Sequence, residues 1–228
     1  ETASHIGVGR CYCRHKMDHL NRACTAPMNI CMTFGNTARS LASHGIARTV
    51  DKTEARDLLD QAYDSNLVQF GENVRQGVNF ICNCCGCCCE AMLAARRFAV
   101  NHPIHTTNFL PRVDETTCNG CGGCACLCPV EAMTLESIHD PRHPKRKVAR
   151  VDHNRCLGCG VCVRAYTQTG SLSLEPRPQR VLTPLNAAHR AVVMAVERGK
   201  LQHLLLDNQV LWHHRGLAAV VPPPDPAS

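Results

Sequence analysis

The 228-residue sequence is poor in aromatic residues: five Phe, three Tyr and a single Trp, 4% of the chain. Its core must therefore be filled by something other than the rings that supply much of the bulk of ordinary domains. No apolar run approaches the roughly 20 residues that a membrane-spanning helix needs, and nothing resembles a signal peptide. Also missing are a glycine-rich nucleotide fingerprint, a nucleophile–base pair and a paired-carboxylate arrangement, which argues against intrinsic substrate chemistry. A reducing cytoplasm is the expected setting. The first residue is Glu1, close to a cysteine motif, and a trimmed or incomplete start is expected.

Cysteine, by contrast, is abundant: 18 residues, about 8% of the chain. At that level disulfides or metals usually support a fold. Disulfides fit poorly, because Cys84-Cys85 and Cys87-Cys88-Cys89 are adjacent and C-x2-C recurs, a spacing that favours metal ligation. Cys118, Cys121, Cys124 and Cys128 follow C-x2-C-x2-C-x3-C, with Pro129 next. Cys156, Cys159 and Cys162 repeat the first three positions, but the fourth falls on Tyr166.

This pattern resembles the two-cluster bacterial ferredoxins, in which each fourth cysteine ligates the other half's cluster. On that rule Cys156, Cys159, Cys162 and Cys128 hold one [4Fe–4S] cluster. The second has Cys118, Cys121 and Cys124, and its fourth ligand stays open among Cys126, Tyr166, solvent and a cysteine of 82–89. A [3Fe–4S] form is the other outcome. The net charge of +6 counts cysteines as neutral. Each four-thiolate cubane carries about two negative charges overall, so a nucleic-acid partner is discounted. The basic run from Arg142 to Arg150 reads as a solvated loop, or as a docking patch for an acidic redox partner.

The cysteine motifs lie in an internal repeat. PRVDETTC around Cys118 matches ARVDHNRC around Cys156, and each half continues through a short helix into a strand, at 133–135 and at 172–174. The expected fold is α+β: two β-loop-α-β halves around clusters over 109–178, a small, mostly helical cysteine-rich region over 1–108, and C-terminal helices with a Pro-rich tail over 179–228. In the first region Cys11, Cys13, Cys24 and Cys31 are expected to hold an N-terminal cluster, with zinc at the same four as the alternative. His15 and His19 stand at i and i+4 and suit hydrogen bonding to ligands better than ligation.

Asn36 or Thr37 should cap a helix ending at Gly45, and Asp51 or Thr53 a second, with Ala55, Leu58, Leu59 and Ala62 as its apolar stripe. Two short strands, 68–70 and 78–81, flank a turn; this helix-then-hairpin order hints at a winged helix. In 82–89, Cys82, Cys84, Cys85, Cys87, Cys88 and Cys89 occupy six of eight positions. Neighbouring side chains diverge, so one cubane cannot take all six; the loop should feed two clusters with a subset. A helix from Glu90 would turn its positive N-terminal end toward them. Thr183-Pro184 should open a C-terminal helix stopping at Gly199, with Leu185, Ala188, Val192, Ala195 and Val196 buried. A short helix over 200–206 should follow, and His213 and His214 read as ordinary histidines rather than ligands.

Cys11-Tyr12-Cys13-Arg14, then Cys24 to Cys31 with Pro27 and Met28, then Ile81 to Cys89 ahead of the two ferredoxin motifs, resemble a group of multi-cluster 4Fe–4S dicluster-domain proteins. That resemblance implies a cluster-rich electron carrier, often of anaerobic metabolism, and such proteins generally carry Cys where this chain has Tyr166. The expected function is single-electron transfer through three or four clusters, as a carrier or as a subunit of an oxidoreductase. Redox proteins are the expected partners; there is no membrane span, though peripheral association is open. The alternatives are a reductase acting at an open iron site and a redox-sensing regulator.

Overall fold

The computed structural model describes residues 2–98, 107–139, 141, 143–165, 170–178, 180–201, 212, 215 and 216. These form two compact units: Glu1–Glu72 with Asn79–Leu182, and Asn73–Val78 with Thr183–Ser228. Tyr166, Arg142, His213, His214, the expected helix beyond Leu201 and the Pro-rich tail lie outside the described residues.

The first unit begins with strands β1 (Ile6–Arg10), β2 (Asn29–Phe34), β3 (Ala47–Thr49), β4 (Val68–Gly71) and β5 (Phe80–Cys84). They form one antiparallel sheet in the order β3-β1-β2-β5-β4. The expected hairpin is β4–β5, paired from Val68↔Cys84 to Gly71↔Ile81. It is the edge of a larger sheet rather than the wing of a winged helix. Helices α1 (Tyr12–His19), α2 (Gly35–Ser43), α3 (Lys52–Asp64) and α4 (Glu90–Phe98) complete this part. Asp51 caps α3, its carboxylate accepting from the Thr53 and Glu54 amides at 2.8 Å each. Ala55 and Ala62 are then buried, and Leu58 and Leu59 pack with Ile6, Val8, Met32 and Val50. Helix α2 starts at Gly35 behind Phe34, with no side-chain cap from Asn36 or Thr37.

The second part of this unit runs β6 (Phe109–Val113), α5 (Gly123–Leu127), β7 (Met133–Ser137), then β8 (Lys147–Val151), α6 (Val161–Ala165), β9 (Leu172–Pro176). Strand β6 pairs with β9 and β7 with β8, each antiparallel over five residues. Two aspartates open the ligand loops alike. Asp114 accepts from the Thr116 amide and its carbonyl takes the Cys118 N–H; Asp152 accepts from the Asn154 amide and its carbonyl takes the Cys156 N–H. Such Asx turns give each loop a fixed start. Gly120 and Gly158 occupy the same place in the two loops, both with φ near +70°, and each lies directly on the backbone of a strand. Only glycine combines that φ with so close an approach.

In the second unit α7 (Ala187–Glu197) is capped by Asn186, whose side chain accepts from the His189 amide at 2.9 Å. The helix therefore begins beyond Thr183-Pro184. None of its residues is buried, with Val192 at 43% exposure and Val196 at 57%. The expected buried face is not formed among the described residues.

Candidate metal centre

Antiparallel packing of the two repeat halves brings Cys128, at the end of α5, to Cys156, Cys159 and Cys162. The Cys128 sulfur acts electrostatically on all three. Burial first, then the neighbouring thiols, push Cys156 up to about 11 and Cys162 up to about 12. Backbone N–H groups face the sulfurs: Ala132 donates to Cys128 at 3.2 Å and Gly158 to Cys156 at 3.4 Å. Val161 donates to Cys159, and Val163 to Cys162.

Cys118, Cys121 and Cys124 line a separate pocket with Val113, Leu135 and Leu172. None of the cysteines of 82–89 lines it, and Cys126 is exposed on α5. Among the residues proposed to complete this set, Tyr166 alone is outside the described residues.

The structure does not bring Cys11, Cys13, Cys24 and Cys31 together as one site. Cys11, at the start of α1, and Cys31, on β2, are hydrogen-bonded to each other, and Cys31 also to Cys82. Cys82 and Cys84 share one face of β5 by the two-residue period of a strand. Cys84 is bonded in turn to Cys82 and Cys89, and Cys89 to Cys13. Hydrogen bonds from Cys31 and Cys84 hold the Cys82 thiol below its usual range, and the bond from Cys84 does the same for Cys89. The first turn of α4 adds amide donors, Glu90 to Cys13 and Ala91 and Met92 to Cys89. Cys24 belongs elsewhere: its sulfur and those of Cys85, Cys87 and Cys88 lie within 4.8 Å of one another.

His15 and His19 form an edge-on pair with Nε2 atoms 3.2 Å apart, and Arg10 lies 3.0 Å from His15. Residues to which the sequence assigned no role tie the groups together. Arg14 on α1 is fully buried, donates to the Asn83 carbonyl at 3.1 Å and to the Cys85 sulfur, and feels Cys11 and Cys31 from the other side. Asn83, also fully buried, donates to the Ile30 carbonyl. Arg96 on α4 donates to the Gly86 and Pro129 carbonyls at 3.1 and 2.9 Å, clamping the 82–89 loop to the residue after Cys128. Arg177 binds the Cys156 carbonyl at 2.8 Å, and Arg164 reaches the Leu67 carbonyl while stacking on Tyr63. The signal for these was an arginine beside a cysteine loop, which in sequence is indistinguishable from a surface charge. Two residues of the basic run, Arg146 and Arg150, bind the Glu115 carbonyl and carboxylate, so they brace the first ligand loop.

The donor set suits iron–sulfur ligation. Crowded, buried thiols resist ionising together unless a cation sits among them, and amide N–H groups directed at sulfur stabilise the resulting anions. Residues 117–165 match the 4Fe-4S dicluster domain family. The chain is also similar to the ferredoxin-type protein NapF of Escherichia coli, in three strains, each 38% identical over 58 residues. That stretch is 25% of this chain and 32% of the relative, so the likeness spans about a third of the relatives' length. No solved structure matches the chain. No helix among the described residues is long and apolar enough to cross a membrane. Residues 117–165 thus form a 4Fe–4S dicluster domain of ferredoxin type, preceded in the chain by a cysteine-rich region.

Proposed function

We propose that the protein is a multi-cluster electron-transfer protein, working as a carrier or as the electron-transfer subunit of an oxidoreductase. The observation that carries this reading is the series in which the thiol groups adjoin. Cys118 and Cys124 share a packed cluster of side chains with Cys128 and Cys162. Cys128, Cys156 and Cys159 share the next with Cys13, Cys82, Cys84 and Cys89. In this reading Cys128, Cys156, Cys159 and Cys162 hold one [4Fe–4S] cluster, Cys118, Cys121 and Cys124 hold a second, and four of Cys11, Cys13, Cys31, Cys82, Cys84 and Cys89 hold a third. Bound there, such clusters take up and release single electrons.

The chain's own residues keep these positions close, dry and rigid. Val161, Ala132, Met92 and Val130 are nearly fully buried around them. Arg96 and the Gly86–Pro129 contact hold the cysteine-rich region against the dicluster domain. The amide donors described above lower the cost of negative charge on sulfur, which sets potentials together with burial. The ferredoxin type of the relatives supports the same reading.

Iron and acid-labile sulfide per full-length chain, with electron paramagnetic resonance of oxidised and reduced protein, test this. About twelve irons per chain are expected from three cubanes, or one fewer with a [3Fe–4S] form; about four would overturn the multi-cluster reading. Rapid reduction by a donor ferredoxin or a viologen is expected. Spectral changes on adding small thiol, disulfide or acyl substrates without a partner protein would overturn the carrier role.

A further inference from the structure

Four thiols stand apart by how tightly they converge. The sulfurs of Cys24, Cys85, Cys87 and Cys88 lie within 4.8 Å of one another, and no other set of three or more His, Cys, Asp or Glu ligand atoms does so among the described residues. Spacing distinguishes two kinds of metal site. Around one tetrahedral ion with bonds of about 2.3 Å, thiolates stand about 3.8 Å apart. In a cubane each thiolate caps a different corner iron, so the four sulfurs spread farther than they do around one ion. The Cys87 and Cys88 sulfurs are 3.6 Å apart, the single-ion spacing. The wider groups at Cys118–Cys124 and at Cys128 with Cys156–Cys162 do not converge in this way.

We propose that Cys24, Cys85, Cys87 and Cys88 bind one Zn²⁺ ion, a structural centre distinct from the electron-transfer clusters. The surroundings are those of a thiolate-rich anion. The Cys88 N–H donates to the Cys85 sulfur across the turn, and the Cys24 N–H donates to the Cys88 sulfur. Four thiolates around a divalent ion carry about two negative charges overall, and a buried cation beside them offsets part of that. Arg14 is that cation. It is fully buried, its charge acts on the Cys85 sulfur, and its Nε and Nη2 have no hydrogen-bond partner among the described residues.

The ion's work is mechanical. It ties the loop carrying Cys24 to the turn after β5, where Ile30, Ala62 and Leu67 are fully or nearly fully buried in the small core packed there. Four protein ligands leave no open position, and zinc has no redox step, so the centre holds the cysteine-rich region in shape and takes no part in electron flow. This proposal does not depend on the electron-transfer reading, because zinc content reports on one and iron content on the other.

The test uses the full chain, expressed with both iron and zinc supplied and purified without oxygen. Elemental analysis should find one zinc per chain, and X-ray absorption at the zinc edge should show four sulfurs at about 2.3 Å. Cys24→Ser should lose that zinc and keep its iron. The edge measurement is made on the unaltered protein, so a Cys24→Ser chain that fails to fold leaves the proposal exposed to refutation. No zinc in the unaltered protein, nitrogen or oxygen in its shell, or about four irons lost with Cys24→Ser would overturn it.

Discussion

Gly158 tests whether the ligand loop is held by its contact with the strand beside it. The residue lies between Cys156 and Cys159 with φ +70°, and a Cβ there would fall on the Phe109 carbonyl oxygen and the Thr107 hydroxyl. The Phe109 backbone cannot retreat without breaking its pairing to Pro176. Gly45, at the end of α2, has nearly the same φ, +69°, with nothing within 4 Å of its Cβ position. Alanine at either site carries the left-handed backbone strain of about 1–2 kcal/mol. Gly158→Ala adds the cost of a close contact in a packed site, about 1–3 kcal/mol. With a guanidinium slope of about 4 kcal/mol/M, an extra 2 kcal/mol lowers the unfolding midpoint by about 0.5 M beyond the Gly45→Ala value. The assay is an oxygen-free guanidinium titration of the iron-loaded chain, read by far-ultraviolet circular dichroism and by visible absorption. Equal midpoints for the two variants would show that the strand contact does not set the loop.

Arg96→Ala removes the bonds to the Gly86 and Pro129 carbonyls and the 3.1 Å ion pair with Glu131. Leaving these partly buried carbonyls unpaired should cost about 1–3 kcal/mol, seen as a lower thermal midpoint; an unchanged midpoint contradicts the clamp. Cys128→Ser should lower iron content and visible absorption, because Cys128 sits with Cys156, Cys159 and Cys162. Cys126→Ser, at an exposed position, should leave both unchanged. The opposite ranking would refute the crossed ligand pairing.

Much of the second half could be read from local pattern. The repeat PRVDETTC and ARVDHNRC announces two like turns, and the structure has Asp114 and Asp152 opening both with the same Asx geometry. Asp51 was legible as a cap because its effect reaches only three residues onward. The cap of α7 is ambiguous for a local reason as well: Thr183-Pro184 and Asn186 are both good starts, and which one wins depends on where Leu185 must go. Its backbone carbonyl accepts from the Gln76 amide, and Pro184's from the Arg75 amide, so those residues are held outside the helix. The apolar stripe of α7 implied burial, but periodicity states which residues share a face and not whether anything covers it.

The sheet in the N-terminal part was only partly visible. Strand β1 reads IGVGR, and its two glycines dilute any strand signal, although Ile6 and Val8 are buried. Strand β2 carries Ile30 and Met32 at alternate positions around Cys31, a period-two pattern too short to stand out beside a cysteine motif. Neither strand is stable alone. Each is specified by its partners, from Ile6↔Phe34 along β1–β2 and at Met32↔Ile81 across β2–β5.

By itself the sequence determined the chemistry: eighteen thiols, spaced for metal, with glycines where the ligand loops turn tightly. That much is local, since C-x2-C ligation and an Asx turn depend on chain geometry over a few bonds. Which thiols meet was decided only by the tertiary structure. Cys24 joins Cys85, Cys87 and Cys88, while Cys11 and Cys31 turn to Cys82. Those groupings follow from strand pairing and from the burial of Arg14 between them, and cooperative packing across some sixty residues leaves no periodic trace in the chain.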